Sequence, residues 1–171
     1  MKFTKLKHNI LQKKFDKTLQ QSIENRIFSK KKIQSVAILT TEEISSKLDV
    51  LSIIEKTLEV RNAKIYSFRP YNKLNKFSYK HFSENDINWK GEFFQENFNS
   101  FLEQPFDLLI GYFTKPNLYL ESAVLQSKAS FKVGFSNINS NLFEIEISED
   151  VLNIGKFTLE LKKYLQIIKK L

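Results

Sequence analysis

The sequence predicts an α/β protein, and three observations lead to that class. Segments with the hydrophobic pattern of strands alternate with segments of helical period along nearly the whole chain. The 171 residues are enough for one domain with its own core. Hydrophobic residues make up 42% and charged residues 27%, as in ordinary globular proteins. We therefore expect residues 33–171 to form a single Rossmann-like three-layer sandwich with a mainly parallel five-stranded sheet, preceded by a long basic amphipathic helix within residues 1–32.

Apolar residues recur at spacings of three and four over residues 3–28, which predicts one long helix. They are Phe3, Leu6, Ile10, Leu11, Phe15, Leu19, Ile23 and Ile27. Interleaved with this stripe, or directly after it, are lysines that we single out as candidates for binding a polyanion: Lys13, Lys14, Lys17, Lys30, Lys31 and Lys32. Residues 1–32 hold ten basic and two acidic side chains, so the whole net charge of +8 lies in this segment.

This helix allows three interpretations. Its stripe can pack on the domain and leave the lysines in water. It can lie on an anionic membrane surface with Phe3, Leu6 and Ile10 inserted. It can also dock on RNA or on an acidic protein surface, since its field attracts any polyanion. Membrane contact is the weakest of the three, because only about one residue in four is an aliphatic member of the stripe and no Trp is there.

The first half of the body follows in order. Residues 33–39 have the length and branching of a buried strand. Thr40 and Glu43 have the spacing of a capping box, so we expect one helix from there to about residue 60. Residues 63–68 form the second predicted strand, residues 69–88 a loop, and residues 92–104 a helix that ends before Pro105.

The second half continues the alternation. A strand is predicted over residues 107–113, a helix over 118–128, and two further strands over 131–135 and 142–147. The last helix runs from Ile154 to the end of the chain, and the acidic residues just before it suit a helix N-terminus.

The loops after the strands have no phosphate-binding motif. The GxGxxG and GxxxxGK[ST] spacings are absent and the chain has four Gly, so the sequence predicts no cofactor. A weak anion site at the helix starts near Thr40 or Asn117 is the alternative to ordinary capping there. No Cys is present, which excludes disulfides and thiolate metal sites, and His8 and His81 lie in distant segments. We therefore predict no catalytic or metal-binding residues.

Residues 61–82 combine basic and aromatic side chains without any acid. Cations that meet phosphates beside rings that stack on bases favour single-stranded RNA or DNA, and Arg69, Lys73 and Lys76 form a second candidate patch. The alternative is that Tyr66 and Phe68 belong to the sheet and that the lysines are merely solvated. Trp89, the sole Trp, is expected to anchor this excursion on the core.

Residues 101–137, FLEQPFDLLIGYFTKPNLYLESAVLQSKASFKVGFSN, with DINWKG before them and ELKKYLQIIKKL after them, resemble an uncharacterised family of small flavobacterial-type (Bacteroidota) proteins. The resemblance covers residues 33–171, supports the fold and implies no catalytic residues. The DLLI and FKVGF segments also resemble, more remotely, the N-terminal Rossmann half of heptosyltransferase-type glycosyltransferases. That likeness is at the level of fold, because the nucleotide-sugar half is missing.

The sequence thus favours a non-enzymatic cytoplasmic binding protein that docks on a polyanionic partner, such as the ribosome, other RNA or an acidic protein surface. Cytoplasmic location follows from the lack of a cleavable leader and of a run of about 18 apolar residues. The alternative is a degenerate glycosyltransferase-like enzyme, or a nucleotide- or sugar-phosphate-binding protein that uses the carboxyl-end loops. A third interpretation is an oligomer or subunit docked through the amphipathic helix.

Overall fold

The computed structural model describes residues 2–171, with side chains from residue 5 onward. Its centre is a six-stranded sheet with the order β3-β2-β1-β4-β5-β6, in which every adjacent pair is parallel. The strands are β1 Val36–Thr41, β2 Lys64–Phe68, β3 His81–Phe82, β4 Leu108–Tyr112, β5 Lys132–Phe135 and β6 Ile145–Ile147. The predicted α/β class and mainly parallel sheet are confirmed. The sheet order reverses direction between β1 and β4.

The helices connect these strands and cover both faces of the sheet. They are α1 Lys2–Glu24, α2 Glu42–Ser45, α3 Val50–Leu58, α4 Glu96–Glu103, α5 Leu118–Gln126 and α6 Ile154–Ile167. On one face, α3 packs beside α6, and Phe157 of α6 contacts Tyr112 and Phe135 of the sheet. On the other face, Phe98 and Phe101 of α4 pack against Tyr66. Right-handed crossovers place helices on both faces of a parallel sheet when the strand order reverses, as it does here between β1 and β4.

The prediction of five strands was wrong by one, because His81–Phe82 adds a sixth strand, β3, at the edge beyond β2. A two-residue strand carries no period of its own, so the sequence pattern reads it as loop. Its pairing is real nonetheless: Ser67 donates its N–H to the Lys80 carbonyl, and Arg69 donates to the Phe82 carbonyl, both at 2.9 Å. Phe82 is buried and stacks on Phe98.

One predicted helix, from Thr40 to about residue 60, is two helices. The capping box at Thr40 was also wrong: Thr41 is the N-cap of α2 and accepts from the Ile44 N–H, while the Thr40 hydroxyl donates to the Tyr112 carbonyl at 2.7 Å. Asp49 starts α3 by accepting from the Ser52 N–H at 3.2 Å. The side chain of Asp can accept hydrogen bonds from nearby backbone N–H groups, which interrupts a helix and allows a new helix to begin with Asp as its N-cap.

Helix α1 packs on the body through part of its predicted stripe. Leu11, Phe15 and Leu19, which are one turn apart, are buried, whereas Leu6 and Ile10 are exposed. Phe3 lies outside the residues whose side chains are described. The helix ends at Glu24 instead of residue 28, and the chain then crosses to the start of β1. Burying a three-residue stripe stabilises a helix of this length far more than its propensity does.

Candidate functional site

The outer face of α1 carries two of the predicted candidate lysines. Lys13 and Lys17 are exposed, and neither belongs to an ion pair within the described side chains. Lys14 is placed differently, since its side chain passes close to Gly91. Its charge, together with Lys90, lowers the pKa of Glu92, although a hydrogen bond from Asn88 is the larger cause. Lys14 is also exposed, but it lies beside Gly91, so we take Lys13 and Lys17 as the candidate helix lysines for contact with a partner.

The segment after α1 is held on the body by a partly buried charge cluster. Arg26 pairs with Glu144 at 3.6 Å and donates to the Asn141 and Phe143 carbonyls. The Lys132 ammonium donates to the last carbonyls of α5, those of Val124 at 2.6 Å and Leu125 at 3.3 Å. Burial lowers the pKa of Lys132 to about 8, although Glu144 acts in the opposite direction. This cluster holds the path of the chain between α1 and β1.

Lys30, Lys31 and Lys32 lie beside the C-terminus, at the amino-terminal end of the sheet. Ile33 donates its N–H to the Lys170 carbonyl at 2.9 Å, and the buried Lys170 ammonium donates back to the Lys31 carbonyl at 3.1 Å. All three candidate lysines are exposed and outside the ion pairs of the described side chains. Beside them is an apolar groove of about 470 Å³, lined in part by Phe28, Phe131, Ile145, Ile168 and Lys30.

The second predicted patch is divided by the structure. Arg69 is largely covered, pairs with Glu42 at 3.5 Å and donates to the Lys76 carbonyl at 2.9 Å, so it holds the loop in place. Lys73 and Lys76 are exposed. The aromatic residues of the same stretch fall into two groups. Tyr66 and Phe68 belong to the sheet, as one interpretation predicted. Tyr71, Phe77 and Tyr79 are exposed.

His81 lies in a polar cluster that the sequence did not reveal. Its Nδ1 is 2.8 Å from the Ser78 hydroxyl, and its Nε2 is 3.6 Å from a Glu42 carboxylate oxygen. Burial and the nearby Arg69 lower the pKa of His81, so the ring favours its neutral form. Ser78 lies three positions before His81, so this contact is local and could have been predicted from the sequence. Glu42 comes from the end of β1, and only the sheet order brings it here.

A pocket of about 320 Å³ adjoins this cluster at the carboxyl ends of β2 and β3. Its walls include Arg69, Lys76, His81 and the exposed rings of Tyr71, Phe77 and Phe94. Gln95 closes one side and donates to the His81 carbonyl at 3.4 Å, while its buried amide oxygen has no partner among the described side chains. Ligands of parallel sheets bind at this end of the strands.

The helix starts considered as weak anion sites are occupied by their own side chains. The side-chain Oδ1 of Asn117 accepts from the N–H groups of Tyr119 and Leu120, and the Glu121 carboxylate accepts from the Asn117 N–H at 2.9 Å. Burial raises the pKa of Glu121, and the Asn117 hydrogen bond opposes it. Thr40, the other candidate, is buried inside β1. Ordinary capping, by Asn117 at α5 and by Thr41 at α2, explains both helix starts.

The carboxylate of Asp107, just before β4, is held by structural partners. Asp107 accepts from the Gln34 and Ser35 N–H groups and from the Ser35 hydroxyl, which joins the start of β1 to β4. Burial raises the pKa of Asp107, but these hydrogen bonds outweigh it and the net shift is downward. Among the residues that the structure describes, no three His, Asp or Glu side chains converge to hold a metal ion.

Trp89 does not anchor the excursion, and that prediction was wrong. Its side chain is 48% exposed in a turn, whereas Ile87 and Phe93 form an antiparallel bridge and are both buried. Phe93 packs edge-on against Phe82 and Phe98. Phe82, Phe93 and Phe98 therefore anchor the excursion on the core, a role that we had expected of Trp89.

The fold and these sites define an α/β protein with a parallel six-stranded sheet and a basic N-terminal helix packed on it. The chain belongs to the family of unknown function DUF6913, whose match covers residues 7–168. No curated protein and no solved structure matches it. The prediction that the chain belongs to an uncharacterised family is confirmed, but the matched region includes most of α1 and does not begin at residue 33. Within the described part of the chain, no helix is both long and apolar enough to cross a bilayer.

Proposed function

We propose that this protein is a non-enzymatic binding protein that docks on a polyanion through Lys13, Lys17, Lys30, Lys31 and Lys32, which we call the docking lysines. The polyanion is ribosomal or other RNA, or an acidic protein surface. The proposal places the protein in the cytoplasm and describes the body as Rossmann-like. The flavobacterial-type origin and the remote likeness to a transferase half stay predictions from the sequence.

The orientation of α1 supports this proposal most. A helix that buries Leu11, Phe15 and Leu19 on the body turns Lys13 and Lys17 toward the solvent. The same packing fixes the chain that follows, so that Lys30–Lys32 are displayed at one end of the sheet and not on a free tail. Charges held on a rigid surface attract a polyanion and lose little conformational entropy on binding.

Binding of a fluorescent single-stranded RNA, measured by anisotropy over a salt series, tests the proposal. We expect an affinity that falls steeply between about 50 and 200 mM salt, because each phosphate contact releases counterions. Replacing the five docking lysines by Gln should weaken binding and flatten the slope of log K against log salt by nearly one unit per lost phosphate contact. Competition with polyglutamate distinguishes an acidic protein partner from RNA.

The matched control replaces five other exposed lysines by Gln: Lys47, Lys56, Lys115, Lys156 and Lys163. This variant has the same net charge as the first but keeps the docking lysines. We expect it to keep most of the affinity and of the salt slope. Equal losses in the two variants would mean that net charge alone attracts the RNA, and the proposed surface would then be wrong.

A further inference from the structure

We propose that the pocket at the carboxyl ends of β2 and β3 binds a nucleotide, either free or as one unit of a single strand, with its base on the exposed rings and its phosphate at Lys76 and Arg69. This site uses the loop of residues 69–80, and none of the docking lysines lines it. It does not depend on the proposed docking, and it needs none of the cofactor motifs that the chain lacks.

The rings around the pocket point to a flat apolar ligand. Tyr71, Phe77 and Phe94 line it and are 51%, 68% and 60% exposed. Burying a large aromatic side chain in the core stabilises the fold, and an exposed ring gives up that stabilisation. Several exposed rings around one cavity therefore indicate a binding surface. A nucleobase offers a π-face to such rings whatever its sequence identity.

The charges of the pocket point to an anion. Lys76 lines the cavity, is exposed and takes part in no ion pair among the described side chains. Arg69 is already oriented by Glu42 and by the Lys76 carbonyl, which leaves further N–H groups of its guanidinium for a ligand. Asp86, an acid in the wall, is engaged by the Ser83 N–H at 2.7 Å and by the Ser83 hydroxyl at 2.9 Å. A phosphate therefore meets cations at this wall.

The size and position of the cavity set the class of ligand. Its volume of about 320 Å³ is at the lower end of the range for small-molecule sites, which suits one nucleotide and not a dinucleotide. The carboxyl ends of parallel strands are where such sheets bind ligands. Single-stranded nucleic acid offers the same unit of base and phosphate, so the two sources share one recognition chemistry.

Calorimetric titration of the full chain with AMP, CMP, GMP and UMP tests this site, with adenosine and ribose 5-phosphate as ligands that lack one half of the recognition unit. We expect the mononucleotides to bind, and the two partial ligands to bind at least about tenfold more weakly, since each loses a contact of about 1.4 kcal/mol or more. A short single-stranded RNA forms the second arm. If the RNA binds tightly and the mononucleotides do not, and if Lys76→Gln and Phe77→Ala weaken RNA binding, the natural ligand of the pocket is a nucleotide unit of a single strand.

Lys76→Gln and Phe77→Ala should each weaken binding about fivefold or more. Both side chains are exposed, so the fold should survive, and circular dichroism checks that it does. Lys73→Gln is the matched control, because Lys73 is an exposed lysine of the same loop that does not line the pocket. Equal losses for Lys73→Gln and Lys76→Gln, or the lack of any binding that depends on Phe77, would overturn the inference.

Discussion

Gly134 and Phe143 show how a single residue shapes this core. A Cβ built on Gly134 would lie 2.3 Å from the Phe143 ring, and one built on Gly111 would lie 2.9 Å from it. Two neighbouring strands thus use Gly so that one buried ring can lie flat across the sheet. The glycines of β4 and β5 serve close packing and not a phosphate loop.

We expect Gly134→Ala to lower the free energy of unfolding by about 1–3 kcal/mol, because the buried ring must move to admit the methyl group. Urea denaturation measures the change. Gly155→Ala is the control: a Cβ there meets nothing within 4 Å, and Ala in helix α6 should be neutral or stabilising by up to about 1 kcal/mol. If both substitutions change the free energy of unfolding by the same amount, the Phe143 ring does not pack against Gly134.

Lys132 gives a prediction about pH. The pKa of this lysine is lowered from its ordinary value of 10.5 to about 8 in the folded protein, so between these values the unfolded chain binds more protons. The free energy of unfolding should therefore rise with pH in that window, by at most about 1.4 kcal/mol per unit from this group.

The test compares the native chain with Lys132→Met and with Lys115→Met, which replaces an exposed lysine of the loop before α5. Relative to Lys132→Met, the native chain should gain stability as the pH rises from 8 to 10. Relative to Lys115→Met, which keeps Lys132, it should show no such gain. A constant difference between the native chain and Lys132→Met across the window would show that the ammonium is not buried in solution.

At the scale of elements, α1 makes the most direct prediction. Leu11 and Leu6 belong to the same predicted stripe, but Leu11 is 3% exposed and Leu6 is 53% exposed. We expect Leu11→Ala to reduce the free energy of unfolding by about 2–3 kcal/mol and Leu6→Ala to change it by less than about 0.5 kcal/mol. Limited proteolysis within residues 20–35 should also be faster in Leu11→Ala. Equal, small effects would mean that α1 is not packed on the body.

The elements that the sequence predicted well are those with a strong period or a long buried run. Strands β2, β4 and β5 lie within one residue of their expected bounds, β1 begins three residues later and ends two residues later than expected, and α5 begins at Leu118 as expected. Helix α4 begins at Glu96 and not at residue 92, because Phe93 is held in a bridge with Ile87. Local pattern cannot anticipate such a tertiary contact.

The candidate site residues were likewise predicted well where the signal is local and poorly where it depends on tertiary contacts. Exposed lysines of α1 and of residues 30–32 could be named from charge and period alone, since a lysine on the polar side of a helix is exposed wherever the helix docks. Arg69 could not be assigned correctly, because its partner Glu42 is 27 positions away and is brought close only by the pairing of β1 with β2. The contact of His81 with Glu42 was missed for the same reason.

At the scale of the whole molecule, the two proposed surfaces are built from different residues. Lys30–Lys32 lie where the chain enters β1, at the amino ends of the strands, while the nucleotide pocket lies at the carboxyl ends of β2 and β3. Because different residues form the two surfaces, losing one should leave the other intact. A protein with the five docking lysines replaced should still bind mononucleotides, and calorimetry on that variant checks this independence.

Sedimentation of a cell lysate through a sucrose gradient at low and at high salt tests the central claim, docking on a polyanion, most directly. The native protein should travel with ribosomal or other large RNA-containing particles at low salt and return to the top fractions at high salt, because counterion competition weakens phosphate contacts. The variant without the docking lysines should stay near the top at both salt concentrations. A sharp peak of the native protein at the size of one or two chains, unchanged by salt, would contradict the claim.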